Sequence, residues 1–382
     1  KYLHKITAPC MDKCPAHIDI PKYVEEIKNY QYSDALATIR ENMPLPAVCG
    51  RVCPHPCETA CRRKNVDDSI NIMVLKRTAS DYEWMHKLQH PANTVPMKKK
   101  TVGIVGAGPA GLAAAYYLAL QGYRSTIYET LPEGYGGGMV AVGIPAYRMP
   151  RHLLQRDIDI IQSMGVEIVY NCRVGQDISL AELKQKHDAV FLAPGAHRSK
   201  PMGVEGEDAG YKGFLKGGID FLRDAYMHRP TGMGKKVVVV GGGNTAIDCV
   251  RVALREGCEA SYLVYRRSRA EMPARAEEAH HAEEEGIDFR LLTNPIKVVG
   301  DENGWVTGLE VVKQQLGEPD ASGRRRPIDI PGSNYIIDVD VVIVAIGQGP
   351  NPILTQSGAG LELRKSGNIV ADPETGKTSR KG

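Results

Sequence analysis

The pattern that most constrains this chain is a strand, a glycine-rich turn, a helix and a second strand, in that order. It begins at Thr101 with TVGIVG, continues through Gly106-x-Gly108-x-x-Gly111, and closes its second strand at Glu129. Gly106 permits the tight turn, Gly108 lets a pyrophosphate approach the backbone, and Gly111 lets the helix pack on the strand. The helix N-terminus attracts an anion, and Glu129 can accept hydrogen bonds from a ribose. The pattern predicts a dinucleotide site; the alternative is a tight turn without a ligand.

The same order of elements recurs from Lys236, where an apolar strand leads into the loop GGGNTA at 241–246. This loop fits the variant in which alanine replaces the third glycine. The next strand ends without an acid and is followed by Arg266, Arg267 and Arg269. Guanidinium groups at this place suit a 2′-phosphate, which a carboxylate would repel. The second loop therefore predicts NADP(H) rather than NAD(H); the alternative is a solvated basic turn.

Six of the nine cysteines lie between Cys10 and Cys61. Their spacing is Cys10-x3-Cys14-Pro15, then Cys49-x3-Cys53-x3-Cys57-x3-Cys61. Thiolates at this density suit cubane iron–sulfur ligation, although the spacing differs from that of bacterial ferredoxins. Zinc is the alternative, because paired cysteines a few residues apart also bind zinc. Two dinucleotide sites give an electron-carrying cluster a role, which favours iron and sulfur. The isolated cysteines, interpreted as buried thiols, are Cys172, Cys249 and Cys258.

Composition excludes several classes of protein. The chain has 382 residues, more than one hydrophobic core usually organises, which predicts two or three domains. Lys and Arg number 48 against 45 for Asp and Glu, so no strongly basic face for nucleic acid is expected. No run of eighteen apolar residues exists, which argues against membrane insertion. We detect no signal peptide, and a chain of this size does not need disulfides, so a cytoplasmic location is expected.

With these motifs placed, the sequence resembles the small-subunit family of glutamate synthase. Related modules occur in the large subunit of NADH-dependent ferredoxin:NADP oxidoreductase and in the N-terminal half of dihydropyrimidine dehydrogenase. The matching stretches cover nearly the whole chain, in the family's order: CPAHIDIPKYV, LPAVCGRVCPHPCETAC, VGIVGAGPAGLAAAYYL, GGGMVAVGIPAYRMP, FLAPGA, VVVVGGGNTAIDCVR, VYRRSRAEMPAR and AIGQGPNP.

The resemblance implies which residues contact the two nucleotides. FAD would be held by Gly106, Gly108, Pro109, Ala110, Gly111 and Glu129, by the segment with Gly137, Gly138, Met139, Gly143, Ile144, Pro145 and Arg148, and by Gly195. NADP(H) would be held by Gly243, Asn244, Thr245, Arg266, Arg267 and Arg275, with Gly347 lining the approach to the flavin.

The resemblance also implies how the cysteines are shared between [4Fe–4S] clusters. Cys10 and Cys61 would share one cluster with two cysteines that the family has further upstream. The other cluster would be bound by Cys14, Cys53, Cys57 and a Gln or Glu. That Gln or Glu position is Lys76 here, which cannot bind iron while it is protonated. One or two clusters are therefore expected, and the fourth ligand of the second stays open, with Cys49 as a candidate.

Together these patterns predict an α/β fold class, with two nested Rossmann-like dinucleotide-binding domains preceded by a small α-helical iron–sulfur domain. The helical domain is expected at 1–96, with Ser33 as the N-cap of a helix from Asp34 to Glu41. The FAD-binding domain is expected at 97–200 and 345–382, and the NAD(P)H-binding domain at 201–344. The family continues past Gly382 into a turn that holds FAD, so we expect the FAD-binding part to be truncated.

The resemblance implies a flavin and iron–sulfur oxidoreductase subunit that passes electrons between NADP(H) and a partner through FAD and [4Fe–4S]. A multisubunit complex of the ferredoxin:NADP type is favoured, with bifurcation left open. Its expected partners are other redox subunits, with ferredoxin as a candidate. One alternative is a glutamate synthase small subunit that supplies NADPH electrons to a glutamate-forming partner. A second alternative is a structural subunit that has lost a cofactor. No Cys-x-x-Cys lies near either glycine loop, which favours electron exit through iron–sulfur.

Overall fold

The computed structural model describes residues 7–88, 95–352 and 360–380. Its N-terminal part is helical, and a single 3₁₀ turn at Arg62–Asn65 precedes the longest of these helices. The helices are α1 (Pro9–Lys13), α2 (Ile20–Lys28), α3 (Tyr32–Arg40), α4 (Pro46–Val52), α5 (Pro56–Thr59) and α6 (Ile72–Met85). Four of them begin with proline in the first turn, where the missing N–H has no intrahelical acceptor to lose.

The prediction of Ser33 as an N-cap is wrong. Helix α3 begins two residues earlier than expected, at Tyr32, and Gln31 occupies the N-cap without a side-chain hydrogen bond. The ring of Tyr32 stacks on Tyr82 of α6, with ring centroids 4.2 Å apart. We attribute the earlier start to this tertiary contact, which holds the first turn against α6 in place of a local cap.

The first α/β unit follows the helical part. Its elements are β1 (Thr101–Val105), α7 (Pro109–Leu120), β2 (Arg124–Tyr128), α8 (Met139–Val142), α9 (Arg151–Ser163), β3 (Glu167–Val169), α10 (Leu180–Lys186) and β4 (Ala189–Leu192). The four strands form a parallel sheet in the order β3-β2-β1-β4. One hydrophobic core joins this unit to the N-terminal helices. The buried carboxylate of Asp157 on α9 accepts a hydrogen bond from the N–H of Ala47 on α4, 3.2 Å away.

A second α/β unit begins and ends with a short strand. In chain order its elements are β5 (Arg198–Ser199), β6 (Phe214–Leu215), α11 (Gly218–Tyr226), β7 (Lys236–Val240), α12 (Asn244–Arg255), β8 (Ala260–Tyr265), α13 (Ala276–Glu284), β9 (Asp288–Leu291), β10 (Thr293–Gly300), β11 (Val306–Pro319), β12 (Arg325–Asp329), β13 (Tyr335–Asp338), β14 (Val341–Val344) and β15 (Gln348–Gly349). Five strands form a parallel sheet in the order β6-β14-β7-β8-β9. The central strands β7 and β14 are almost completely buried, as their continuous apolar sequence indicates.

Two further sheets complete the second unit. Strands β10 to β13 form an antiparallel sheet that the sequence analysis does not anticipate. Strands β5 and β15 pair antiparallel, so the chain enters and leaves the second unit at neighbouring positions. The expected boundaries at 200 and 345 fall close to this pair and stay a prediction, and the expected 345–382 segment includes residues outside the described ranges. Within the described ranges, no helix combines the length and the apolar character that crossing a membrane requires.

Candidate cofactor sites

The first glycine loop has the backbone geometry of an anion cradle. Gly106 has a φ of +96°, and a Cβ there would lie 2.5 Å from the carbonyl oxygen of Ala193. A Cβ on Gly111 would collide with the carbonyl oxygen of Gly106. Above Gly108, by contrast, a Cβ would meet only the Cα of Gly138, at 4.0 Å. Two glycines are thus required by packing, and the third leaves room for a phosphate.

Helix α7 points its N-terminus at this loop. Gly108 is its N-cap, Pro109 opens the first turn, and no side chain caps the helix. The first N–H groups of the helix, including that of Ala110, have no intrahelical acceptor. They and the positive end of the helix dipole are available to a pyrophosphate.

Glu129 is fixed beside the same loop. Its carboxylate is buried and accepts hydrogen bonds from the N–H of Ala107 at 2.7 Å and the N–H of Leu131 at 2.9 Å. Each carboxylate oxygen has a second lone pair. Glu129 can therefore hold the loop and still accept from a ribose hydroxyl.

The segment from Gly137 to Pro145 crosses the glycine loop. The N–H of Gly137 donates to the carbonyl of Ala107 at 2.9 Å, and Gly138 lies against Gly108 with a φ of +56°. Met139 begins the short helix α8, which ends before Gly143. This segment is placed where it can contact a bound flavin nucleotide.

Arg151 is a residue of this region that the sequence analysis missed. Its guanidinium donates to the carbonyl of Val140 at 2.8 Å and to the carbonyl of Ile144, and it lies 4.2 Å from the ring centroid of Tyr226. Burial lowers the pKa of Arg151. Its side chain therefore holds the turn after α8. In the sequence, this role is indicated only by an arginine at the first position of a helix that follows a glycine-rich segment.

Arg148 connects the two α/β units. Its Nη1 lies 2.8 Å and 2.7 Å from the two carboxylate oxygens of Asp248 on α12. Its Nε lies 2.9 Å from Glu278 on α13. Burial raises the pKa of Asp248 to about 7, and Arg148 opposes that rise. The guanidinium is thus engaged at the interface between the units, and its expected contact with the flavin stays a prediction.

Gly195 and Gly347 lie where the two units join. Gly195 has a φ of +78° and accepts a hydrogen bond from the N–H of Asn351 at 3.2 Å. Gly347 has a φ of +130°, and its carbonyl accepts from the N–H of Lys200 at 3.1 Å. The backbone of the second unit therefore returns directly to the turn that ends β4.

The second glycine loop borders a cavity of about 750 Å³. Gly241, Gly243, Thr245 and Gly347 are among its lining residues. Gly243 has open space above it and is the N-cap of α12, again without a side-chain cap. The cavity matches a small-molecule site in size, and it offers free helix N–H groups to an anion.

The arginines after β8 have different surroundings. Arg266 is exposed and lines the cavity. Arg267 also lines it, but its guanidinium is buried and donates to Asp320 at 2.7 Å and to the carbonyl of Arg325 at 2.7 Å. Arg324, between β11 and β12, reaches the same cavity. Arg266 and Arg324 are therefore better placed than Arg267 to contact a 2′-phosphate. In the sequence, the run of three arginines at 324–326 indicates this second source of positive charge.

Asn244 and Arg275 contact each other at the start of α12. The side-chain oxygen of Asn244 accepts from the backbone N–H of Arg275 at 3.0 Å. The guanidinium of Arg275 donates to the carbonyl of Arg51 in the helical part, 3.2 Å away, and pairs with Glu277. Arg275 thus links the second unit to the cysteine-bearing helices, and its expected contact with NADP(H) stays a prediction.

The N-terminal cysteines form two overlapping groups. Cys10 has Cys61 and Cys14 as electrostatic neighbours. Cys57 has Cys53 and Cys14 as neighbours. Burial raises the pKa of Cys10, and it raises that of Cys57 to about 11. These five thiols are the predicted iron ligands, and the fold brings them together at the ends of short helices.

Two observations bear on the metal. The N–H of His55 donates to Sγ of Cys53 at 3.3 Å, the type of bond that tunes iron–sulfur clusters. Across the described residues, no three His, Cys, Asp or Glu side chains converge on one point as ligands of a single ion do. Zinc needs such convergence, with thiolates about 2.3 Å from the metal. A cubane does not, because its thiolates bind different iron atoms. The density of thiols and the hydrogen bond to Sγ of Cys53 fit an iron–sulfur cluster.

Comparison with known proteins agrees with this geometry. Residues 100–382 match the pyridine nucleotide-disulphide oxidoreductase family, and residues 3–88 match the family described as dihydropyrimidine dehydrogenase domain II, 4Fe-4S cluster. These matches confirm the α/β fold class with an N-terminal iron–sulfur domain, and FAD, NADP(H) and [4Fe–4S] as the cofactors. None of the nine cysteines, all of which lie within the described residues, takes part in a disulfide bond.

The relatives include proteins that differ in length. The NADPH-Fe(3+) oxidoreductase subunit beta of Geobacter sulfurreducens is 70% identical over 370 residues, which cover 97% of this chain and 55% of that protein. The glutamate synthase [NADPH] small chain of Escherichia coli is 35% identical over 372 residues, covering 95% of this chain and 78% of that protein. This chain therefore spans little more than half of the Geobacter protein.

The solved structure of FprA, an oxidoreductase of Mycobacterium tuberculosis, has a TM-score of 0.61 at 20% identity, over 72% of this chain and 76% of that one. That likeness concerns the fold alone. The resemblance to the glutamate synthase small chain is confirmed by sequence identity along most of both chains. The chain belongs to the pyridine nucleotide-disulphide oxidoreductase family and carries a 4Fe–4S domain on the N-terminal side of its dinucleotide-binding units.

Proposed function

We propose that this chain is the NADPH-dependent part of a multisubunit flavin and iron–sulfur oxidoreductase, passing electrons between NADP(H) and a partner subunit. The observation that carries the proposal is the course of the cavity. It runs from the second glycine loop and Arg266 to Gly347 and Gln348, where the chain returns to the first unit. The N–H of Asn351 then bonds to Gly195 at the edge of the first site. A nicotinamide nucleotide in the cavity would thus extend toward the flavin site.

When bound, FAD would supply the capacity to exchange a hydride with NADP(H) and single electrons with [4Fe–4S], which the side chains of the chain lack. The residues of the chain hold and orient the nucleotides. Glu129 would bind the ribose of FAD, and Arg266 with Arg324 would bind the 2′-phosphate of NADPH. Hydride transfer needs no general acid or base, and we assign none.

The partner is proposed from the relatives. The Geobacter protein is named as a beta subunit and is longer than this chain, which supports other redox subunits as partners, with ferredoxin as a candidate. A cytoplasmic location is part of the proposal, because a cysteine cluster matched to a 4Fe-4S domain suits a reducing compartment. The second candidate function is that of the glutamate synthase small chain, supported by the relative from Escherichia coli.

An anaerobic titration of the full-length protein tests the proposal. NADPH should bleach the flavin absorbance at close to one equivalent per flavin, and NADH should need a large excess. A cubane signal should appear in the reduced protein. A colourless protein that contains zinc would refute the proposal. Identification of the copurifying subunits separates the favoured complex from glutamate synthase, whose partner forms glutamate.

A further inference from the structure

The carboxylate of Glu207 binds three consecutive backbone N–H groups in the segment that follows β5. Its Oε1 accepts from the N–H of Met202 at 2.9 Å. Its Oε2 accepts from the N–H of Gly203 at 2.6 Å and from that of Val204 at 3.4 Å. Glu207 is only 6% exposed. A buried carboxylate is stable only where hydrogen bonds replace its water, and bonds to a charged acceptor are the stronger kind. The carboxylate and the three residues therefore fix one another's positions.

The same three residues form part of the wall of the nucleotide cavity. Met202, Gly203 and Val204 all line it, whereas Glu207 is not among the lining residues that the structure describes. Met202 and Val204 also pack against the buried core that includes strand β7. Glu207 thus lies behind the wall and acts on the cavity only through the backbone that it binds. We call residues 199–207 the wall loop.

Both ends of the wall loop are tied to the second α/β unit. Near its start, the N–H of Lys200 donates to the carbonyl of Gly347 at 3.1 Å. Near its end, the carbonyl of Glu205 accepts from the N–H of Val298 on β10 at 2.8 Å. Between these anchors, the backbone is hydrogen-bonded to the buried carboxylate. Because Gly347 lies where the cavity approaches the first unit, the wall loop borders the end toward which a nicotinamide would extend.

We propose that Glu207 is a positioning residue for NADP(H), which orders the cavity wall at Met202–Val204 before the nucleotide arrives. A wall that is already ordered spares the binding step the entropy loss of ordering it. Losing this order weakens the bound ground state and the transition state equally, so affinity falls while the rate at saturation is unchanged. This role rests on the proposed function, in which the cavity holds NADP(H).

Glu207→Gln in the full-length protein tests the role, because a glutamine offers one acceptor oxygen and one NH₂ group where the carboxylate offers two acceptors. The Kd of NADP+, measured by isothermal titration calorimetry, should rise roughly 10-fold. The KM values for NADPH and NADH should rise by the same factor with kcat nearly unchanged, since the wall acts apart from Arg266. Asp208→Asn is the matched control: Asp208 is the next residue, it pairs with Lys216 on the exposed surface, and its change should leave all these values as in wild type.

Hydrogen–deuterium exchange, followed by mass spectrometry, gives a readout that does not depend on catalysis. Peptides that cover residues 202–207 should exchange slowly in wild type without nucleotide, because their N–H groups are bonded to a buried acceptor. They should exchange faster in Glu207→Gln, and saturating NADP+ should restore slow exchange. Fast exchange in nucleotide-free wild type overturns the proposal, even where the variant does not fold.

Two further outcomes separate this role from a structural one and from the proposed function. A folded Glu207→Gln with a lower unfolding temperature but unchanged Kd and KM shows that Glu207 only stabilises the loop, which overturns the proposal alone. Wild-type protein that does not bind NADP+ in the calorimeter overturns the proposed function as well.

Discussion

Replacing Arg148 with methionine should weaken the attachment of the second α/β unit to the first. The guanidinium of Arg148 and the carboxylate of Asp248 are 6% and 4% exposed, and they meet through two contacts of 2.7 and 2.8 Å. Removing one partner of a buried ion pair typically destabilises a protein by about 3–5 kcal/mol, because the other charge stays buried and unpaired. We expect a loss of that size for Arg148→Met.

The loss should depend on pH in a defined direction. Burial raises the pKa of Asp248 to about 7, so the folded state binds this proton more tightly than the unfolded chain does. That contribution to stability is present at low pH and is lost as the pH rises through about 7. Arg148 offsets the loss by stabilising the ionised carboxylate. The free energy of unfolding of the variant should therefore differ little from that of wild type at about pH 6 and most at about pH 8.5.

The measurement is the urea concentration at the midpoint of unfolding, followed by circular dichroism, with stopped-flow reduction of the flavin by NADPH in parallel. Lys216→Met is the matched control, since Lys216 pairs with Asp208 at 2.8 Å on the exposed surface, where water and salt screen the pair and its loss should change stability little. Arg148→Met combined with Asp248→Leu should recover much of the loss, because no charge is left unpaired. Equal midpoint shifts for Arg148→Met and Lys216→Met at both pH values would refute the reasoning.

Three further predictions concern the nucleotide sites. Arg266→Gln should raise the KM for NADPH roughly 10- to 100-fold and change the KM for NADH little, because one or two charge-assisted hydrogen bonds to the 2′-phosphate are lost. Parallel steady-state assays with NADPH and NADH measure the two KM values. An equal rise in both would exclude contact between Arg266 and the 2′-phosphate. Arg267→Gln should instead lower the thermal unfolding temperature without changing the preference, because its guanidinium bonds to Asp320 inside the protein; a switch of preference would contradict this assignment. Gly111→Ala should yield protein without bound flavin, because a Cβ at Gly111 collides with the carbonyl oxygen of Gly106. Gly243→Ala places its Cβ in open space, so this variant should keep its flavin. The flavin absorbance of the purified variants distinguishes the two outcomes.

The glycine loops could be predicted from sequence because their geometry is local. A turn with positive φ at Gly106 and close packing at Gly111 depends on residues a few positions apart, and the same residues define the motif. The placement of Glu129 also follows, since β2 lies next to β1 in the sheet and ends beside the loop.

Contacts between distant segments could not be predicted in this way. Arg148 and Asp248 are 100 residues apart, and nothing near either residue in sequence specifies the other. The different surroundings of Arg266 and Arg267 depend on Asp320, which bonds to Arg267 and which the antiparallel strands bring to the site. The close approach of Gly50 to Arg77 likewise depends on how α4 packs against α6.

The pairing of β5 with β15 brings the two ends of the second α/β unit together. Ser199 faces Gln348 and Arg198 faces Gly349, so both ends of the inserted unit lie about one strand spacing apart, roughly 5 Å. An insertion with the same spacing between its ends can therefore be joined to the first unit without altering that unit's own four-stranded sheet.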